Sequence, residues 1–216
     1  MAWQEAALNA TEVKQYHEDG FVLDDHAFGR AGETGGVVRL SLWNHPGNGI
    51  YGTFARCRSL VDSAEALLGG EVYHYHSKMI MKEPKVGGAW AWHQDYGYWY
   101  QNGVLFPLLT SAFIALDRAT KDNECLQHEL TGDQASADLE CVNELAKRLD
   151  LVYVEREPGD VIFFDANMMH RSDRNHSENP RWSMICCYNA ARNDSYKDAH
   201  QPRYTPLSNA NDCNAK

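Results

Sequence analysis

The run Trp90-Ala-Trp-His-Gln-Asp-Tyr-Gly-Tyr-Trp-Tyr100 places His93 and Asp95 two positions apart among aromatic residues. In a strand, residues i and i+2 project from the same face, so an imidazole and a carboxylate would emerge together here. These are two thirds of a 2-His-1-carboxylate set, which holds Fe(II) and leaves coordination positions open for reactants. His170, at the end of the apolar run Val161–Met169, is the candidate for the third ligand, and a polar loop follows it. Eleven residues later, Arg181 heads the segment Arg-Trp-Ser-Met-Ile-Cys-Cys-Tyr-Asn. If that strand lies beside the one carrying His170, the planar guanidinium can enter the interior and receive a carboxylate bidentately. Ser172, two residues past His170, offers a hydroxyl on the same side. Taken singly, each has a plainer explanation, a structural or exposed histidine or a salt-bridging surface arginine; the combination gives them weight.

Other residues could shape a pocket. His74, His76, Lys78, Ile80 and Lys82 share one face of a predicted strand, unusually polar for an interior. Such a face is either solvated or lines a polar cavity. His74 and His76 lack a carboxylate or cysteine partner, which favours a pocket or structural role over metal binding. The aromatic residues Trp90, Trp92, Tyr96, Tyr98, Trp99 and Tyr100 suit a sheet. A subset could cradle a cationic or alkyl group, but alternation prevents all six from facing one site. Gly47-Asn-Gly-Ile-Tyr-Gly52 matches the dinucleotide fingerprint G-x-G-x-x-G. Pro46 precedes it, no acidic residue ends the next strand, and no further β-α units follow, so a nucleotide loop is not expected.

These residues need elements to hold them. Helical spacing of apolar residues over Thr53–Leu68, closed by Gly69-Gly70, predicts one helix. Residues 4–18 are helix-like and Phe21-Val22-Leu23 reads as a short strand. Strands are predicted at Val37–Trp43, Glu71–Lys82, Ala89–Tyr98, Thr110–Asp117, Leu151–Glu155, Asp160–Met169 and Arg181–Asn189, with a helix over Asp138–Leu149. Pro158-Gly159 and Lys121-Asp-Asn123 mark turns. Many strands without regularly alternating helices favour a sandwich or barrel over a parallel α/β sheet.

The chain has 216 residues, 44% of them hydrophobic, enough for one sizeable core and a single domain over 1–216. Helical elements over about 4–68 are expected to pack on the barrel, and the tail from about 191 to 216 to be irregular. A net charge of −10 argues against a nucleic-acid surface. No apolar run approaches a membrane span or a signal peptide, so a cytoplasmic protein without membrane partners is expected; oligomeric state is unreadable. The six cysteines lack CxxC spacing and are expected as free thiols, with Cys186 and Cys187 on opposite strand faces. The tripeptides Asn9-Ala-Thr11 and Asn175-His-Ser177 read as chance matches to a glycosylation pattern.

With these residues in place, His93-x-Asp95, the distal His170, Ser172 with Arg181, and the lead-in Glu157-Pro-Gly-Asp160 resemble the phytanoyl-CoA dioxygenase family over about residues 11–189. The resemblance implies a mainly β double-stranded β-helix, a cupin-like jelly-roll with flanking helices, using Fe(II), 2-oxoglutarate and O2. It implies that His93, Asp95 and His170 hold iron and that Arg181 and Ser172 grip the distal carboxylate of 2-oxoglutarate. Trp99, six residues after the first ligand, matches a pocket tryptophan of the ectoine hydroxylase branch, and His76, Lys78 and Tyr98 join it as candidate substrate contacts. Asp95 fills the position that halogenating relatives leave to halide, so hydroxylation of a small organic molecule is expected, with succinate and CO2 as co-products. No basic site for the phosphates of CoA is evident, so a small polar metabolite is a better expectation than an acyl-CoA. Other readings are a catalytically silent jelly-roll that binds metal or a metabolite, and a cupin-like metalloenzyme independent of 2-oxoglutarate. Two departures bear on the substrate mouth. His128-Glu-Leu-Thr-Gly-Asp133 follows Gln127 where the family continues through a longer loop, with Asn123-Glu124 in place of an Asn-Gly turn, and a helix expected after Val22-Leu-Asp-Asp25 is lacking. Either the rim is short or segments are absent from the recorded chain.

Overall fold

Two strands from distant parts of the chain form the backbone of the architecture. In the computed structural model, which describes residues 29–31, 37–47, 49–123, 125–130, 139–198 and 200–210, β3 (Val72–Lys82) pairs antiparallel with β10 (Arg181–Ala190). Around them, β1 (Gly29–Ala31), β2 (Val37–Trp43), β5 (Leu109–Ala115) and β8 (Val161–Asp165) complete a six-stranded sheet of order β1-β2-β3-β10-β5-β8. A second sheet of order β4-β9-β6-β7 is built from β4 (Trp90–His93), β6 (Leu126–Leu130), β7 (Val152–Val154) and β9 (Met168–Ser172). Both sheets are antiparallel throughout, and with the flanking helices they make the expected double-stranded β-helix. The predicted helix over 4–18, the strand at 21–23, Asn9 and the departure near Val22 lie outside the described residues, as do Glu124 and residues 131–138 of the second departure.

Alternation divides the large sheet into two chemically different faces. Val72, Met79, Met81, Ala112, Ile114, Met184, Cys186 and Tyr188 form its outer layer, covered by α1 (Ile50–Ala55) and α2 (Arg58–Leu68) through Ala55, Leu60, Val61, Ala64 and Leu68. The inner face contributes Tyr73, Tyr75, Ile80, Leu109, Phe113, Phe164, Ile185 and Cys187 to a cluster that meets Leu126, Trp90 and Met168 of the small sheet. Cys186 and Cys187 thus fall on opposite faces, and Cys57, Cys125, Cys186 and Cys187 form no disulfide among the described residues.

Three predicted elements are corrected. The helix expected over Thr53–Leu68 is two helices: at the break, the amide of Arg58 donates to the Ala210 carbonyl and the amide of Ala210 to that of Arg56, drawing the backbone around Cys57 into a bridge with the C-terminal segment. Gly69 ends α2 in the left-handed conformation, φ +70°, as glycine permits. The glycine fingerprint is a packing device, because a Cβ on Gly52 would lie 1.8 Å from the Gly47 carbonyl oxygen. The strand expected over Asp160–Met169 is two strands in different sheets; the Asn167 amide donates to Asp165 Oδ1 at the corner, and the Tyr96 amide to the Ala166 carbonyl. The predicted strand over Ala89–Tyr98 ends at His93, and α3 (Asp95–Gln101) follows. An acidic residue in the first turn suits the positive end of a helix, and Asp95 and Trp99, four apart, are its buried pair. Finally, α4 (Leu139–Ala146) falls within the predicted Asp138–Leu149, and Val142 covers the outer face of the small sheet beside Met169 and Trp92.

Candidate active site

Three ligand types converge between the sheets. His93 ends β4 and pairs in register with His170 of β9, bringing their ring centroids to 4.1 Å. His170 therefore sits within a strand rather than at its end. Asp95 joins them although no continuous strand runs through it: the extended Gln94 and the first turn of α3 aim its carboxylate back, with Oδ1 3.9 Å from His93 Nε2. One ligand atom from each of the three lies within 4.8 Å of the others. The cause of their convergence is a strand end, a helix start and a neighbouring strand, not the i, i+2 alternation expected from the sequence.

The donor set fits a divalent metal. His93 Nδ1 donates to the Ala91 carbonyl at 2.7 Å and His170 Nδ1 to the Met168 carbonyl at 2.9 Å. A carbonyl only accepts, so each Nδ1 carries the proton and each neutral ring keeps its Nε2 lone pair. Burial pushes the His170 imidazole down to about 3, and the adjacent His93 ring works in the same direction. The ring is thus unprotonated and ready to ligate near neutrality. Asp95 Oδ2 is buried without a hydrogen-bond partner among the described residues. Burial would raise its carboxyl, but the Lys78 ammonium holds it well below the usual range. A buried carboxylate with one unfilled oxygen, beside two imidazole lone pairs, is a donor set that a hard or borderline cation requires.

Buried polar and aromatic residues surround this triad. The register of β3 against β10 slips between Cys187 and Tyr188, which face His76 and His74, leaving Tyr75 as the bulged residue. Tyr75 consequently joins the inner cluster next to His76, while His74 is turned outward and meets Ser77 Oγ at 2.7 Å. This corrects the expectation that His74 shares a face with His76, Lys78, Ile80 and Lys82; bulges characteristically re-aim side chains in this way. His76 contacts Trp99 at 5.8 Å between centroids, and Trp99 contacts Tyr75 at 5.7 Å. Both His76 nitrogens are buried without a hydrogen-bond partner among the described residues. Burial lowers this imidazole to about 3, helped by Lys78, so it meets a ligand as a neutral donor and acceptor. Lys78 Nζ stands 3.8 Å from Asp95 Oδ1; burial works against its charge, but Asp95 outweighs that and raises its pKa. Lys82 donates to the Asp173 carbonyl. Tyr98, on the exposed side of α3 at 37% accessibility, stands within electrostatic range of Lys78 but is less enclosed than the other candidates.

Arg181 is 2% exposed and opens β10. Its strand lies between β3 and β5 in the large sheet, not beside β9, so Arg181 enters from the sheet opposite His170. Ser172, buried on β9, pairs in register with Trp90. The loop between β9 and β10 is tied down by Asn175, whose side-chain amide donates to the Lys82 and Asn179 carbonyls. Asn175 is completely buried, which leaves its glycosylation pattern a chance match. Arg156 and Phe113, which no motif marks, also lie near this site. Arg156 directly precedes Glu157-Pro-Gly-Asp160 and is buried, and its guanidinium carbon lies 4.1 Å from the Phe113 ring centroid. An arginine flanked by Glu155 and Glu157, between the apolar run Leu151–Val154 and a tight turn, was the available signal.

Residues 4–183 match the phytanoyl-CoA dioxygenase (PhyH) family. The chain is 31% identical to an L-proline trans-4-hydroxylase of Streptomyces griseoviridis over 189 residues, covering 74% of this chain and 70% of the relative. It is 28% identical to an ectoine dioxygenase of Sphingopyxis alaskensis, covering 72% of this chain and 59% of that protein. The crystal structure of the S. alaskensis enzyme EctD with bound Fe has a TM-score of 0.77 and 26% identity, covering 96% of this chain and 82% of that one. The structure of EctD with 2-oxoglutarate and 5-hydroxyectoine has a TM-score of 0.78 at 24% identity, with the same coverage. Among the described residues no helix is long and apolar enough to cross a membrane.

Proposed function

The chain belongs to the phytanoyl-CoA dioxygenase family, and on that premise we propose that it hydroxylates an unactivated C–H bond of a small polar metabolite, with 2-oxoglutarate converted to succinate and CO2. It is a non-heme iron dioxygenase, and Fe(II) and 2-oxoglutarate are its cofactors. The observation that carries the reading is the convergence of His93, Asp95 and His170, with both imidazoles held by backbone carbonyls in the tautomer that ligates. These three residues would hold the iron, which when bound supplies the oxidising power for C–H cleavage from O2 and 2-oxoglutarate.

The protein supplies position and exclusion. Arg181 receives the distal carboxylate of 2-oxoglutarate, with the Ser172 hydroxyl as a further donor. Lys78 holds Asp95 anionic and restrains one carboxylate oxygen. Trp99 and Tyr75 wall the pocket with apolar surface, while His76 presents two unfilled hydrogen-bonding positions to the substrate. A site of that composition suits a compact molecule with both polar and aliphatic surface, such as an amino acid or a quaternary ammonium compound. The relatives named for L-proline and ectoine support that class. With Asp95 in place, the product carries oxygen rather than halide.

The test is incubation of the Fe(II)-loaded protein with 2-oxoglutarate, labelled O2 and a panel of small polar metabolites, including L-proline and ectoine. Mass spectrometry should find one labelled oxygen atom in a single substrate class. A desaturated, epimerised or chlorinated product would overturn the hydroxylation reading.

A further inference from the structure

Two buried guanidinium groups converge on one ring. Phe113 lies on the inner face of β5, with the guanidinium carbon of Arg156 4.1 Å from its centroid and that of Arg181 6.0 Å away. The arginines come from different places. Arg181 opens β10, whereas Arg156 follows β7 and is locked by reciprocal 2.8 Å backbone hydrogen bonds with Ala119. Arg156 Nη1 donates to the Phe113 carbonyl at 3.0 Å. Its Nε and Nη2 are buried without a hydrogen-bond partner among the described residues.

Those two nitrogens form one edge of the guanidinium plane, the edge that receives a carboxylate through two parallel hydrogen bonds. Leaving such an edge unfilled in the interior is costly. Burial lowers the Arg156 pKa only to about 10, with Cys125 and Asp160 opposing the shift, so the group stays charged near neutrality. Asp160 does not fill the edge; its Oδ2 accepts instead from the Glu157 amide. A line of rings connects this place to the metal ligands: Phe113 and Phe164 are 6.5 Å apart, and Phe164 and His170 are 5.0 Å apart. A five-carbon diacid with its keto-acid end at the triad can extend along these rings toward the arginines.

We infer that Arg156 is a second guanidinium of the 2-oxoglutarate seat, using its Nε and Nη2 to bind the distal carboxylate together with Arg181. The inference rests on the assignment of Arg181 to that carboxylate. Arg156 is then a determinant of cosubstrate selectivity, favouring 2-oxo acids with a distal carboxylate over those without one, and it carries a cost in stability when no ligand is bound.

Calorimetric titration of the anaerobic Mn(II)-loaded protein with 2-oxoglutarate, and separately with pyruvate, tests this. Arg156→Leu should weaken 2-oxoglutarate by about tenfold or more, about 1.4 kcal/mol, and leave the pyruvate affinity unchanged. The melting temperature of the ligand-free variant should equal or exceed that of the wild type, the reverse of what loss of a structural arginine would cause. Arg156→Lys, which keeps the charge but not the fork, should fall between the two and serves if the leucine variant does not fold. If Arg181→Leu weakens 2-oxoglutarate while both Arg156 variants bind it like wild type, the inference about Arg156 is overturned. If Arg181→Leu also binds normally, the assignment of Arg181 fails as well.

Discussion

The two faces of the β3–β10 ribbon are built from neighbouring residues and do opposite things. Met79, Met81, Met184 and Cys186 face α2 in an apolar layer, whereas His76, Lys78, Lys82 and Arg181 lie on or beside the inner face and are buried or nearly so. The outer face stabilises by removing apolar area from water, roughly 25 cal/mol per Å2. The inner face keeps charged and polar groups in a low-dielectric space where each must be paired or costs free energy. Lys78 and Asp95 offset each other there, but the nitrogens of His76 and the free edge of Arg156 have no such compensation among the described residues. A sheet can thus carry stability on one side and store unsatisfied binding capacity on the other, one residue apart.

Substitutions on the two faces should separate these roles. On the outer face, Met184→Ala should lower unfolding free energy by about 2–5 kcal/mol, read by urea denaturation, while affinity for 2-oxoglutarate in the folded protein is retained. A change in that affinity would mean that the faces are coupled. Acid probes both faces at once through His74 and His76. Burial lowers the folded-state imidazoles to about 4 and about 3, respectively. The unfolded chain takes up protons below about pH 6.5 and the folded chain does not, so stability falls on acidification through that point, by about 1.4 kcal/mol per pH unit for each histidine until its folded-state pKa is reached. His74→Leu should remove its share of the slope in metal-free protein; an unchanged slope would show that this imidazole is solvated. On the inner face, His76→Leu should leave stability level or raise it by up to about 1 kcal/mol, yet reduce kcat/KM by about tenfold or more, about 1.4 kcal/mol. Loss of stability without loss of kcat/KM would assign His76 to the core instead.

Much of this division was legible in the sequence, and the failures have definite causes. His93, Asp95 and His170 stood out because few combinations of residue types suit iron. The route by which they meet did not, since an aromatic run satisfies both the alternation of a strand and the i, i+4 spacing of Asp95 with Trp99 on a helix. The run Val161–Met169 gave no warning of a corner, because Ala166-Asn167 lacks glycine and proline and the turn is fixed by Asp165 and by contacts with Leu109 and Tyr96. For the same reason, the position of Arg181 in the opposite sheet was hidden. His74 was placed on the wrong face because a bulge depends on the register of the partner strand, which a single segment does not encode. Arg156 became meaningful only when its neighbours in space were known.

The most direct measurement of the central claim is succinate release from 2-oxoglutarate by the Fe(II)-loaded protein in air, compared with Asp95→Ala. Even without the preferred substrate, uncoupled turnover should produce succinate, and Asp95→Ala should reduce it at least about 1000-fold, about 4 kcal/mol in activation free energy, while leaving the fold intact by circular dichroism. Equal succinate release from the two proteins would contradict the assignment of His93, Asp95 and His170 as the iron site.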